Sequence, residues 1–303
     1  MATLLGKKKP PFDLKRTGLL AWSVVRFIIV FGLAFIIVKP FIVKILMATM
    51  SPNDLLDNSV KLIPRNPSLY YWKEAWEGMQ LEETFLLSLV MALAVGVIQL
   101  MASASIGYGL ARFKFVGRGF AFAMVILILL IPAQTYSIAQ YMGFRYFLGT
   151  DISLIDSGWP LFILSAVGLG TKEGLYIYLM MTFFKGLPVS LEEASYIDGA
   201  NPIHTFFTIM LPNAKPILIT VFLFSFCWQW TDSAYASMYF SSLKNIPSVI
   251  PGIYIRVGLT PDMLGSYITQ NAACLIMLIP LIGLFMLGQK YLINSLASSG
   301  IAN

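Results

Sequence analysis

The stretch from Gly186 to Pro216 reads GLPVSLEEASYIDGANPIHTFFTIMLPNAKP, a polar island in an otherwise oily chain. Its grammar is that of two short helices around a turn. Pro188 interrupts the preceding apolar helix. Ser190 stands three residues before Glu193, the capping-box spacing in which each side chain satisfies a free N–H at a helix start, so a helix is expected from Leu191. Gly199 is placed to end that helix in a left-handed conformation, and Asn201 followed by Pro202 reads as an N-cap with proline in the first helical position. In the second helix Ile203, Phe206, Phe207 and Met210 recur at i, i+3, i+4 and i+7, one apolar stripe that leaves His204, Thr205 and Thr208 outside it. Pro212 biases Leu211 away from helical geometry and closes the unit. The result is a helix, glycine turn and helix with an oily face of its own, suited to a protein partner or to the lipid headgroup layer.

Outward from this island the chain is membrane-like. With 303 residues, 57% of them hydrophobic and 12% charged, and a mean hydropathy of +0.75, it is too apolar for a soluble globular domain. A span needs about 20 apolar residues, and six windows qualify: about Leu19 to Val38, Thr84 to Leu110, Gly119 to Ala139, Pro160 to Phe184, Pro216 to Phe240 and Leu264 to Leu287. An even number puts both termini on one side. Lys7, Lys8, Lys9, Lys15 and Arg16 precede the first window, and Arg112, Lys114 and Arg118 fill the turn after the second, so these segments are expected in the cytoplasm together with the polar island. The same asymmetry accounts for the net charge of +6 and pI of about 9.2 without a nucleic-acid partner. The charged start before an apolar core lacks a small-residue cleavage site and reads as an uncleaved anchor. This gives a cytoplasmic segment over residues 1–18, a membrane domain over 19–293 and a cytoplasmic tail over 294–303. Arg26, Lys39, Pro40 and Lys44 interrupt the ends of the first span, where long basic side chains reach the interfaces.

Within the spans, Pro132 to Thr135 and Gly168 to Glu173 break helical patterns at or near membrane depth. Broken backbone in a bilayer is tolerated only where protein or a water-filled cavity satisfies it, so the breaks point to a pathway. Asp232 is an intramembrane carboxylate and hence a functional-site candidate by default, while Gln134 suits either a pathway or interhelical hydrogen bonding. Ala92 with Gly96, and Ser103 with Gly107, argue for close helix packing. Tyr70, Tyr71, Trp72 and Trp76, in the outer loop from Ser51 to Glu83, read as interfacial anchors. Cys227 and Cys274 read as small apolar residues inside spans. The chain has no G-x-x-x-x-G-K-[S/T], no G-x-S-x-G and no H-E-x-x-H, and its lone histidine, His204, has no second ligand at metal-binding spacing. No internal repeat supports a secondary transporter.

Glu193, Ala194, Gly199, Ile209, Leu211 and Pro212 reproduce the spacing E-A-A, three residues, G, nine residues, I-x-L-P, with Ser195 in place of the second alanine. This resembles the EAA loop of ABC importer permease subunits. The Ala111-Arg112 turn, the Ile131-Pro132 break, the Phe184-Lys185-Gly186-Leu187-Pro188 approach and the Gln289-Lys290-Tyr291 ending extend the likeness over nearly the whole chain. Trp230-Thr231-Asp232 is similar to the W-N-D run of carbohydrate-type permeases, Thr231 replacing Asn, so the chain looks like the maltose-permease class.

The resemblance implies an all-α membrane protein with the six-helix type I ABC importer permease fold, both termini cytoplasmic, in the cytoplasmic (inner) membrane of a bacterium or archaeon. It implies ATPase coupling through Glu192, Glu193, Ala194, Ser195, Asp198, Gly199, Ala200, Ile203, Phe206, Phe207, Ile209, Leu211 and Pro212. Implied partners are a second homologous permease subunit, two cytoplasmic ATPase subunits that use ATP and Mg, an external solute-binding protein reached through the loop from Ser241 to Asp262, and membrane lipid. This chain would bind no cofactor or metal and catalyse no reaction. The implied cargo is a sugar or oligosaccharide, and the candidate path residues are Gln134, Tyr136, Trp228, Trp230, Asp232 and Tyr235: amides and carboxylates pair with hydroxyls, and aromatic faces meet sugar C–H groups. The alternatives are a secondary transporter, an intramembrane enzyme, or an importer of a non-sugar solute.

Overall fold

The computed structural model describes residues 14–260 and 263–300, and among them every regular element is helical. The chain divides into two compact units, one ending at Tyr71 and one beginning at Trp72. The first holds α1 (Leu14–Ala48) and α2 (Pro52–Leu56), the latter capped by Ser51, whose hydroxyl accepts the Asp54 N–H. The helix α1 does not stop at Lys39 and Pro40 as expected but continues eight residues beyond Pro40, to Ala48. A proline in a membrane helix removes one hydrogen bond without ending the helix. The basic N-terminal segment up to residue 13 lies outside the described residues.

Across the boundary runs α3 (Tyr70–Met79), and the second unit continues with α4 (Leu81–Arg112), α5 (Arg118–Leu130), α6 (Ala133–Arg145), α7 (Trp159–Ala166) and α8 (Glu173–Gly186). The polar island forms α9 (Ser190–Ile197), α10 (Pro202–Thr205), a π turn over Phe206–Met210 and α11 (Leu211–Asn213). Then follow α12 (Lys215–Thr231), α13 (Ser233–Tyr239), α14 (Ile246–Val249), α15 (Ile253–Arg256) and α16 (Leu264–Gly300). The last helix runs unbroken through Asn294, where a tail was expected to begin.

Three of the six expected spans are single apolar helices of spanning length, in α1, α4 and α16. Each of the other three is two helices. At the first break, proline forces extended backbone on Ile131 (φ −74°, ψ 122°), and α5 and α6 diverge by 103°. At the second, Gly168 takes φ +82° between α7 and α8. At the third, Asp232 leaves helical geometry and its carboxylate accepts the Tyr235 N–H, capping α13.

The central helix α4 packs against α7, α8 and α12, and α12 packs in turn on α16. The small residues explain the closeness. A Cβ on Gly107 would sit 2.7 Å from Met180 Cβ and 2.9 Å from Met181 N, and one on Gly96 would sit 3.2 Å from the Phe222 ring. Ala92 and Ser103 are fully buried on the same helix. At the end of the bundle away from the polar island, Asp156 accepts the backbone N–H groups of Ser241, Ser242 and Leu243, and also bonds the Ser242 hydroxyl. The Ser242 hydroxyl first, and then these backbone donors, hold its pKa down to about 2.

Candidate functional site

The polar island folds as a helical hairpin, though not by every signal its sequence offers. Val189 already has helical backbone (φ −64°, ψ −31°), so Ser190 lies inside the first turn and its hydroxyl does not cap. The N–H groups of Leu191 and Glu192 reach the carbonyls of Pro188 and Val189: the helix nucleates from the proline, not from a capping box. Gly199 turns the chain at φ +85°, and Asn201 Oδ1 accepts the His204 N–H at 2.8 Å. Leu211 stays helical (φ −63°, ψ −46°) despite Pro212. The π turn explains this, because the Leu211 N–H bonds the Phe206 carbonyl five residues back, widening the helix at the turn the proline ring would otherwise crowd.

That turn also divides the expected apolar stripe. Phe206 and Met210 are buried with Tyr108, Tyr176, Met180 and Phe184, whereas Ile203 and Phe207 are 70% and 52% exposed. Thr205, expected outside the stripe, is fully buried, and its hydroxyl pairs with that of Ser195 at 2.8 Å, fastening α9 to α10. The departure from E-A-A is therefore a structural clasp. Of the remaining island residues, Glu193, Ala194, Asp198, Gly199 and Pro212 are exposed, Ala200, Ile209 and Leu211 half-buried, and Glu192 buried.

Glu192 ties the hairpin to α4. Its Oε1 accepts the Tyr108 hydroxyl at 2.8 Å, and its Oε2 lies 3.5 Å from Arg112 Nε, the two charged side chains being only 8% and 9% exposed. Arg112 also donates to the Leu187 carbonyl at 2.6 Å. Breaking one partner of such a buried pair typically costs about 3–5 kcal/mol. Sequence reading placed Arg112 only among the basic turn residues and missed Tyr108 altogether. Its one available signal was a phenol four residues from an arginine on the same helical face.

Farther along α4, the three helix breaks converge on a cavity of about 430 Å³. Gln134, Tyr136, Trp228, Asp232 and Tyr235 all line it. Trp230 does not: it is buried in the core, stacked on Phe226 at 5.7 Å, with its indole N–H donated to the Met277 carbonyl. Successive residues on a helix point about 100° apart, which is why Trp228 and Trp230 part company. Missed residues hold the site together. Gln99 of α4 donates to the Thr171 carbonyl at 3.4 Å and accepts the Ser225 hydroxyl. Thr171 donates its hydroxyl to Asp232 Oδ2 at 3.4 Å, and the buried Glu173 accepts the Gly170 N–H at 2.7 Å. An amide between apolar neighbours and an acid at the foot of an apolar helix were the signals available.

Comparison with known proteins gives this arrangement its relatives. Residues 103–298, which include the hairpin and all three breaks, match the family described as the binding-protein-dependent transport system inner membrane component. A probable ABC transporter permease protein of Pyrococcus horikoshii is 33% identical over 157 residues, covering 50% of this chain and 52% of the relative. The maltose/maltodextrin transport system permease protein MalG of Salmonella typhimurium is 30% identical over 147 residues, 45% of this chain and 48% of the relative. The chain thus spans about half the length of these two curated relatives. The galactooligosaccharides transport system permease protein GanQ of Bacillus subtilis is 27% identical over 258 residues, 84% and 86% of the two chains. In fold, the chain is similar to one in a bacterial ABC transporter involved in the import of the acidic polysaccharide alginate, with a TM-score of 0.71 at 19% identity over 94% of this chain and 99% of the other. With residues 103–298, more than half of its length, inside one family match, the chain belongs to the inner-membrane components of binding-protein-dependent transport systems.

Proposed function

We propose that this chain is the transmembrane permease subunit of an ATP-driven ABC importer, forming half of the path for a sugar or oligosaccharide delivered by an external binding protein. The observation that carries this reading is that α4 touches both working parts. Tyr108 and Arg112 grip the hairpin through Glu192, and Gln99 grips the break that frames the cavity. Nine residues separate Gln99 from Tyr108, about 14 Å along a helix. A push on the hairpin therefore reaches the cavity through one rigid element.

In this reading the exposed Ile203 and Phe207 face cytoplasmic ATPase subunits, which bind the ATP and Mg, and a second homologous permease subunit completes the path. Sugar as cargo is supported by the names of the maltose/maltodextrin and galactooligosaccharide relatives. It is also supported by the cavity's chemistry, where the aromatic faces of Trp228 and Tyr136 stand beside the polar groups of Gln134, Thr231 and Asp232. The test is affinity purification from the native membrane with mass spectrometry and an ATPase assay. A second six-span subunit and an ATP-binding subunit are expected to co-purify, with hydrolysis raised by solute-loaded binding protein. Recovery of an active chain without either partner would overturn the assignment.

A further inference from the structure

Lys172 stands where local energetics disfavour lysine twice. Its backbone is left-handed (φ +61°), a conformation far more accessible to glycine or asparagine. It is also the N-cap of α8, where short polar side chains are preferred and the positive end of the helix opposes a cation. Strained backbone of this kind persists where surrounding contacts impose it, often at functional sites. Here the contacts are those of Gln99 with Thr171 and of Glu173 with Gly170, on either side of the break.

The exposed side chain so placed lines the cavity, with Nζ 5.0 Å from the centre of the Trp228 ring. Lys172 and Asp232 are the two charged residues of the lining. Asp232 is committed internally, one oxygen to the Tyr235 N–H and the other to the Thr171 hydroxyl. The ammonium, with three donors, has the Trp228 ring as its contact, and it covers the flat face on which a pyranose would stack.

We propose that Lys172 is a specificity-determining residue that selects saccharides bearing a carboxylate. A sugar ring stacking on Trp228 displaces the ammonium, and the acid of the same solute receives it; a neutral sugar displaces it and offers no charge in return. This rests on the saccharide-importer reading above. It narrows the cargo to acidic saccharides such as uronates.

The test uses the intact complex with its binding protein in proteoliposomes and a panel of neutral di- and trisaccharides matched with uronates of the same length. The wild type is expected to favour acidic members by about tenfold in KM for uptake, the scale of one cation contact. Lys172→Arg should keep that ratio and Lys172→Asn should bring it to about one. Asparagine suits both the left-handed backbone and the N-cap better than lysine, so a purely structural lysine would leave the ratio untouched in this variant. Preference for neutral members, or an unchanged ratio in Lys172→Asn, would overturn the proposal while leaving the importer assignment standing. Solute-stimulated ATP hydrolysis with no saccharide of either kind imported would remove the sugar reading itself, and this inference with it.

Discussion

Gly199 is the residue on which the hairpin turns. At φ +85° it has open space where a Cβ would go, so a substitution there is penalised by backbone conformation and not by crowding. A residue with a Cβ in this conformation costs about 1–2 kcal/mol, most for β-branched types. Gly199→Val is expected to leave the membrane helices folded but to lower transport relative to ATP hydrolysis, measured as solute taken up per ATP in proteoliposomes; an unchanged ratio would show that the turn does not transmit motion. Gly199 and Asn201 were legible in the sequence because their conformations follow from rules acting over one to three residues. Ser190 was misread because a competing local signal, Pro188, starts the helix first. That Tyr108 pairs with Glu192 was not legible, since the two lie 84 positions apart and no periodicity within one helix reports a contact at that range.

Among elements, the α4–α8 seam sets how closely the hairpin's support and the cavity's frame approach each other. The missing side chain at Gly107 is what lets Met180 and Met181 come so near. Filling a packed site of this kind typically costs about 1–3 kcal/mol, and Gly107→Leu must move backbone as well as side chains. We expect that variant to lower the unfolding temperature of the purified complex and Gly107→Ala to do so less, measured by thermal unfolding in detergent. Equal temperatures for all three proteins would mean that the seam is looser than the packing shown here. The sequence announced this seam through its small residues, and it announced the breaks through proline and glycine. It did not show that the third break lies at Asp232, because the cap that leaves helical geometry there looks, in a string of apolar letters, like continuous helix.

For the whole molecule, the even number of apolar windows and the basic short turns lead to the expectation that both termini and the hairpin face the cytoplasm. Arg112 and Arg118, counted as topological charges, also have internal partners, the Leu187 and Leu110 carbonyls. A cysteine at the exposed Ile203, in a background with Cys227 and Cys274 replaced by serine, should react with a membrane-impermeant maleimide only in inside-out vesicles. Labelling in intact cells would invert the topology. The fold class was readable because hydropathy is a property of the entire chain. How the breaks meet in one cavity was not, since that requires knowing which helices are neighbours.

The π turn at Phe206–Met210 makes the hairpin's length negotiable at one point only. A π turn holds one residue more than an α turn, and each helical residue adds 100° of rotation. Loss of one residue inside it would restore an ordinary turn and leave the faces on either side in phase. The same loss among Ile203, His204 and Thr205 would swing the outward face by more than a quarter of a circle. Relatives of this chain can therefore shorten by one residue at this turn and still present the same surface, which makes it the place to look for gaps when their sequences are set side by side.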